Sequence, residues 1–192
     1  MNKKLFEKIK SYVENEYKNS GEWYLSYKNH VLLVYKVAIK LANKLKANKD
    51  VIKVAALFHD IAVMKFGKEN HEIKSAEIAE DVLLKFNLDR SFIEEVKKCI
   101  IEHRHSKDII PSSLESKIIR DADAISVIMN PLWFLIVFLE RTNYNFREAF
   151  QMLKNRTDEL YNSLILDESK KLAKRYYKNF LKIFKNLELS TS

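Results

Sequence analysis

Apolar residues recur at helical intervals along nearly the whole chain. Leu5, Phe6, Ile9, Tyr12, Val13 and Tyr17 predict a first helix over residues 3–18. His30, Val34, Val37, Leu41 and Leu45 form one stripe of a second helix over 24–46. Asn48, Lys49 and Asp50 offer a cap for a third helix reaching about Met64. This third segment is apolar nearly all round, which predicts a central, buried helix. Gly67 is placed to end it. A fourth helix is expected from about His71 to Phe86. Ser91 with Glu94 reads as a capping box for a fifth, running to about His103. Ser112 with Glu115 reads as another for a sixth, running to about Met129. Asn130–Pro131 is a cap followed by proline at the first helical position, and two or three more helices follow to about Leu187.

The two glycines and two prolines strengthen this reading, because a sheet protein needs far more turn residues. They also leave no material for a glycine-rich phosphate loop or a dinucleotide fingerprint. The expectation is an all-α, single-domain bundle of about eight helices over residues 1–192, with no linker, repeat or low-complexity segment. The lone cysteine, Cys99, lies in an apolar stretch and reads as an inert core residue, consistent with a reducing cytoplasm. No signal peptide is apparent at the N-terminus. The most apolar run, 131-PLWFLIVFL-139, falls short of the roughly 20 residues that span a bilayer. The net charge of +8 favours anionic partners. Lys170, Lys174, Lys178 and Lys182 make a basic stripe on the last helix, opposite Leu172, Tyr176, Phe180, Ile183, Phe184 and Leu187. The stripe reads either as a solvated face or as a nucleic-acid or partner surface.

The stretch 54-VAALFHDIAVM-64 places His59 and Asp60 at the centre of an apolar run. A buried carboxylate without compensation is costly, and a cation is one way to provide it. The five histidines, His30, His59, His71, His103 and His105, all lie between residues 30 and 105. His30, His59 and His103 fall on apolar helix faces, where facing helices build metal sites. Asp121 and Asp123 sit in 118-IIRDADAISVI-128, about 200° apart on a regular helix. Asp123 is the better candidate for the buried one of the two, although periodicity alone does not decide between them.

The order His30, His59–Asp60, Asp123 resembles the H…HD…D signature of the HD-domain superfamily of metal-dependent phosphohydrolases. The stretches 54-VAALFHDIA-62, 71-HEIKSAEIAEDVL-83, 100-IIEHRH-105 and 117-KIIRDADAI-125 are similar to its small stand-alone members. The resemblance covers about residues 25–130, and the helical part from 131 to 188 is compatible with it. It implies that His30, His59, Asp60 and Asp123 ligate one divalent metal, Mn, Fe, Co, Ni or Zn, which activates a water against a phosphate ester. His71 and His103 stand where some members hold a second ion, with His105 in reserve. With one ion, His71 and His103 would contact the phosphate or protonate the leaving group, and Asp60, His71 and His103 form the catalytic set. His71 also reads as a plain helix-start residue. Ala62 and Val63 replace the Gly and the Lys found in many relatives, so a phosphate-binding cation must come from elsewhere. Arg104, Lys107 and Arg120 are near in sequence. The implied substrate is a nucleotide or other small phosphate ester, with no membrane partner and a homo-oligomer as an open expectation. The alternatives are a di-iron oxygenase on the same fold, which would use all six ligands, and a basic nucleic-acid- or partner-binding module with a vestigial site.

Overall fold

The structure, a computed structural model, describes residues 1–105, 109–141 and 143–189, with side chains described except at residues 141 and 186–189. Among these residues the chain is all α-helical. The helices are α1 (Lys3–Lys18), α2 (Trp23–Ser26), α3 (Leu32–Leu45), α4 (Lys49–Phe58), α5 (Val63–Phe66), α6 (His71–Lys85), α7 (Arg90–Glu102), α8 (Leu114–Met129), α9 (Pro131–Arg141), α10 (Phe146–Asn162) and α11 (Asp167–Leu189). The single turns α2 and α5 aside, nine longer helices stand among the described residues, close to the expected eight. A π-helical turn, Tyr27–Val31, joins α2 to α3.

The chain forms two compact units, residues 1–123 and 124–192, with the division inside α8. In the first unit α4 packs against α1, α3, α6 and α7. Its residues Val51, Ile52, Val54, Ala55, Ala56, Leu57 and Phe58 are all fully buried, so the all-apolar segment is central, as its composition requires. Asn48 caps it, its side chain accepting from the amides of Asp50 and Val51. The second unit has its own core of Leu135, Ala149, Leu153, Phe180 and Phe184, with Phe150 stacked on Phe184 at 4.4 Å. Asn145 and Glu148 close a reciprocal capping box at the start of α10. No single helix among the described residues is long and apolar enough to cross a membrane.

Several local expectations need correction. The second helix is not continuous over 24–46: backbone hydrogen bonding widens to a π turn at the segment that carries His30. The third helix stops at Phe58, and residues 59–62 form turns before α5. Helical spacing carried the apolar pattern through this break because Ile61 and Ala62 remain buried in turn conformation. Gly67, with φ of 72°, does end α5. The N-cap of α7 is Asp89 rather than Ser91, and Glu94 instead pairs with Lys97 at 3.0 Å. Ser112 does not cap α8. Its hydroxyl and amide bond to Glu102, and Ser113 Oγ accepts from the amide of Ser116. On α11, Ile183 is exposed (58%) instead of joining the buried face.

Candidate metal centre

A π turn, two helix C-termini, one helix N-terminus and the interior of α8 deliver the six side chains, with Asp60 directly after the C-cap of α4. His30 lies in the π turn, and His59 and His103 are the residues that cap the C-termini of α4 and α7. His71 is the first residue of α6, and Asp123 lies on α8. A helix C-terminus leaves carbonyls without amide partners. His59 meets this need by donating from Nδ1 to the Ala56 carbonyl (2.9 Å), and His103 does the same to the Ile100 carbonyl (2.5 Å). His71 donates from Nδ1 to the Lys68 carbonyl at 2.9 Å. Each histidine bonds the carbonyl three residues before it. The bond commits the proton to Nδ1 and leaves Nε2 as the ring's lone-pair atom.

These Nε2 atoms converge on Asp60, whose two oxygens face different pairs. Oδ2 lies 3.3 Å from His30 Nε2 and 3.7 Å from His59 Nε2. Oδ1 lies 3.1 Å from His71 Nε2 and 3.6 Å from His103 Nε2. Asp123 Oδ1 stands 3.4 Å from His30 Nε2 and 4.0 Å from His59 Nε2. Two overlapping groups, His30–His59–Asp60 and Asp60–His71–His103, hold ligand atoms close enough to share an ion, and Asp60 belongs to both. The imidazoles are nearly closed off, whereas the Asp60 and Asp123 side chains keep 25% and 20% exposure. The cluster therefore opens to solvent on its carboxylate side.

The electrostatics follow from this crowding. Burial drives the His59 pKa down to about 4, reinforced by His30 and His103 and only partly offset by the two aspartates. Burial also pulls His30 and His103 down, but Asp60 and Asp123 outweigh it and hold both above the ordinary histidine value. Burial pushes Asp60 up, yet the surrounding histidines win and keep it well below the usual carboxylate range. Asp123 is also held low by His30, His59 and His103. Carboxylates that remain ionised beside imidazoles with directed lone pairs are the donor set a divalent cation requires.

The structure thus brings together His30, His59, Asp60, His71, His103 and Asp123. It does not bring in His105, which donates from Nε2 to the Arg120 carbonyl at 2.8 Å. The choice between the two α8 aspartates needs a correction: Asp121, not Asp123, is fully buried. The half-turn offset between them sends Asp123 to the open side of the cluster and Asp121 inward. Of the cations near the motifs, Arg104 donates to Glu72 at 2.6 Å, Arg120 donates to the Ile109 carbonyl, and Lys65 pairs with Glu16 at 2.7 Å. Lys107 lies outside the described residues. Glu72 is a residue the sequence reading missed. It is only 1% exposed, contacts His71 Nδ1 at 3.7 Å and is held by Arg104, so the pair ties the neighbours of His71 and His103 together.

The HD domain family model matches residues 27–128, which span His30 through Asp123. The chain belongs to the HD domain family. This HD domain shares the fold of solved HD structures. YpgQ of Bacillus subtilis, solved in complex with ADP, is 19% identical, with 97% of this chain and 95% of that chain covered and a TM-score of 0.76. An HD-superfamily hydrolase from Bacillus thuringiensis is also 19% identical, with both chains covered over 100% and a TM-score of 0.73. A tRNA (cytidine(56)-2′-O)-methyltransferase from Picrophilus torridus is 30% identical over 148 residues, 68% of this chain. The HD chain spans about two fifths of that relative's length (40%).

Proposed function

We propose that this HD domain is a metal-dependent phosphohydrolase acting on a nucleotide or another small phosphate ester. The observation that carries the reading is the cluster itself: three histidines with Nδ1 committed to backbone carbonyls aim Nε2 at the two oxygens of Asp60. His30, His59, Asp60 and Asp123 would hold one divalent ion. Such an ion lowers the pKa of a coordinated water and polarises a phosphoryl group. The chain's own residues do the rest. Asp60 stays ionised among the imidazoles and orients them. The partly exposed side of Asp60 and Asp123 is the side from which substrate enters. With one ion in the His30 half, His71 and His103 would first take up a proton at Nε2 and, as imidazolium groups, bind the incoming phosphate or pass that proton to the leaving oxygen. Were two ions held, His71 and His103 would serve as ligands together with Asp60, which belongs to both candidate groups. The ADP bound to YpgQ supports a nucleotide as the substrate class.

The test is phosphate or pyrophosphate release from a panel of nucleoside mono-, di- and triphosphates with added Mn²⁺, Ni²⁺ or Zn²⁺. Activity is expected in the wild type and lost in Asp60→Ala. Retained activity in Asp60→Ala contradicts the reading.

A second reading, a di-iron oxygenase, draws on the same six-residue cluster, because it needs two ion sites and all six ligands. Oxygen consumption by the iron-loaded protein without phosphate release favours it over the first.

A further inference from the structure

Helix α11 separates its residues by side. Ser169, Ala173, Phe180 and Phe184 are buried in the second unit, where α11 packs against α10. The opposite side carries Lys171, Arg175, Lys178, Lys182 and Lys185, all exposed. Their spacing alternates between four and three residues. At about 100° per residue this keeps all five within about 40° of a single line along about 21 Å of helix. It is a straighter row than the four-residue repeat of Lys170, Lys174, Lys178 and Lys182, which winds around the axis. Lys170 and Lys174 lie beside the row and are also exposed. From Ser169 to Leu187 there are seven cations and no carboxylate, while the whole chain has a net charge of +8. Asp167, Glu168 and Glu188 at its two ends bring α11 as a whole to a net charge of +4, half that of the chain, while the stretch between them is purely cationic. Lys171 pairs with Glu168 at 2.8 Å, and Arg175 lies over the Tyr176 ring. Lys170, Lys174, Lys178, Lys182 and Lys185 have no acidic partner among the described residues.

We infer that the outer face of α11 is a docking surface for a nucleic-acid phosphate backbone, bound without regard to base sequence. A stable helix holds these charges in line, and the matching partner is a polymer with regularly spaced anions. Duplex DNA carries a charge about every 1.7 Å of its axis, so a row of about 21 Å meets more phosphates than it has cations. All but one of the seven cations are lysines, compact charges that suit phosphate oxygens as point contacts. A lipid surface fits less well. An interfacial helix turns a broad apolar face outward, whereas the apolar face of α11 is buried and Ile183 is its one exposed large apolar residue among those described. The surface is independent of the histidine cluster, which belongs to the first unit.

The test is fluorescence anisotropy of the full chain with a 20-base-pair RNA duplex, the same sequence as DNA, and vesicles of an anionic phospholipid, over a range of salt. Two triple variants are compared: Lys178→Gln, Lys182→Gln, Lys185→Gln on α11, and Lys3→Gln, Lys4→Gln, Lys8→Gln on α1. Both remove the same charge from exposed positions, and glutamine keeps the helical propensity of lysine. Wild type is expected to bind both duplexes, with log K falling against log salt at a slope of about −4.5 for five phosphates. The α11 variant should flatten that slope by about 2.7 and bind about tenfold or more weakly at low salt. The α1 variant should bind as wild type. Equal losses in the two variants, absence of duplex binding, a salt-independent affinity, or binding confined to vesicles each overturns the proposal.

Discussion

The Nε2 atoms of His59 and His30 face each other across 3.1 Å, deep in the first unit. His59 Nδ1 donates to the Ala56 carbonyl, so its Nε2 is an acceptor and the proton between the rings belongs to His30. The directions of the two pKa values agree, with His59 pushed by burial to about 4 and His30 held up by Asp60 and Asp123 against its burial. A divalent cation would displace that proton and take the Nε2 lone pairs of both rings. Substituting His59→Ala should therefore weaken Mn²⁺ binding beyond the roughly 10–100-fold typical of losing an outer-sphere partner. Isothermal titration on the two proteins measures this, and an unchanged affinity would remove His59 from the ligand set.

Glu72 should matter for stability before it matters for chemistry. It is a carboxylate with 1% exposure, held by Arg104 at 2.6 Å. Removing one member of a buried pair strands the other, at a cost of about 3 kcal/mol. Glu72→Ala should lower the urea midpoint accordingly, and a loss below about 1 kcal/mol would show that the pair is no better than a surface ion pair.

Cys99 should be silent in the folded protein. Burial pushes its thiol up to about 12. A thiol with a raised pKa stays protonated as the pH climbs through the ordinary cysteine range, and only the thiolate attacks. Iodoacetamide at pH 8 to 9 should leave Cys99 unmodified in buffer and alkylate it in denaturant. Rapid alkylation of the native protein would contradict its place in the core.

Much of this was legible in the sequence, and the failures have physical causes. Helix α1 was readable to its ends because its apolar period is unbroken, and α9 because Pro131 marks its start. The break at residues 59–62 was not, because burial keeps a turn as apolar as the helix before it. The π turn at Tyr27–Val31 leaves no signature in residue type. Apolar helix faces pointed to His30, His59 and His103, whereas His71 was reached only through the resemblance to the HD family. The commitment of His59, His71 and His103 to carbonyls three residues back depends on where each helix starts or stops, which periodicity locates poorly. Glu72 escaped notice because a glutamate beside a histidine in a charged helix ordinarily faces water.

The central claim is that Asp60 anchors a metal between two pairs of imidazoles. The most direct measurement is metal content by elemental mass spectrometry, wild type beside Asp60→Ala, after loading with Mn²⁺, Fe²⁺ or Ni²⁺ and removal of excess. About one or two ions per chain in the wild type, lost in the variant, is the predicted result. No bound metal in the wild type, or equal content in both proteins, would contradict it.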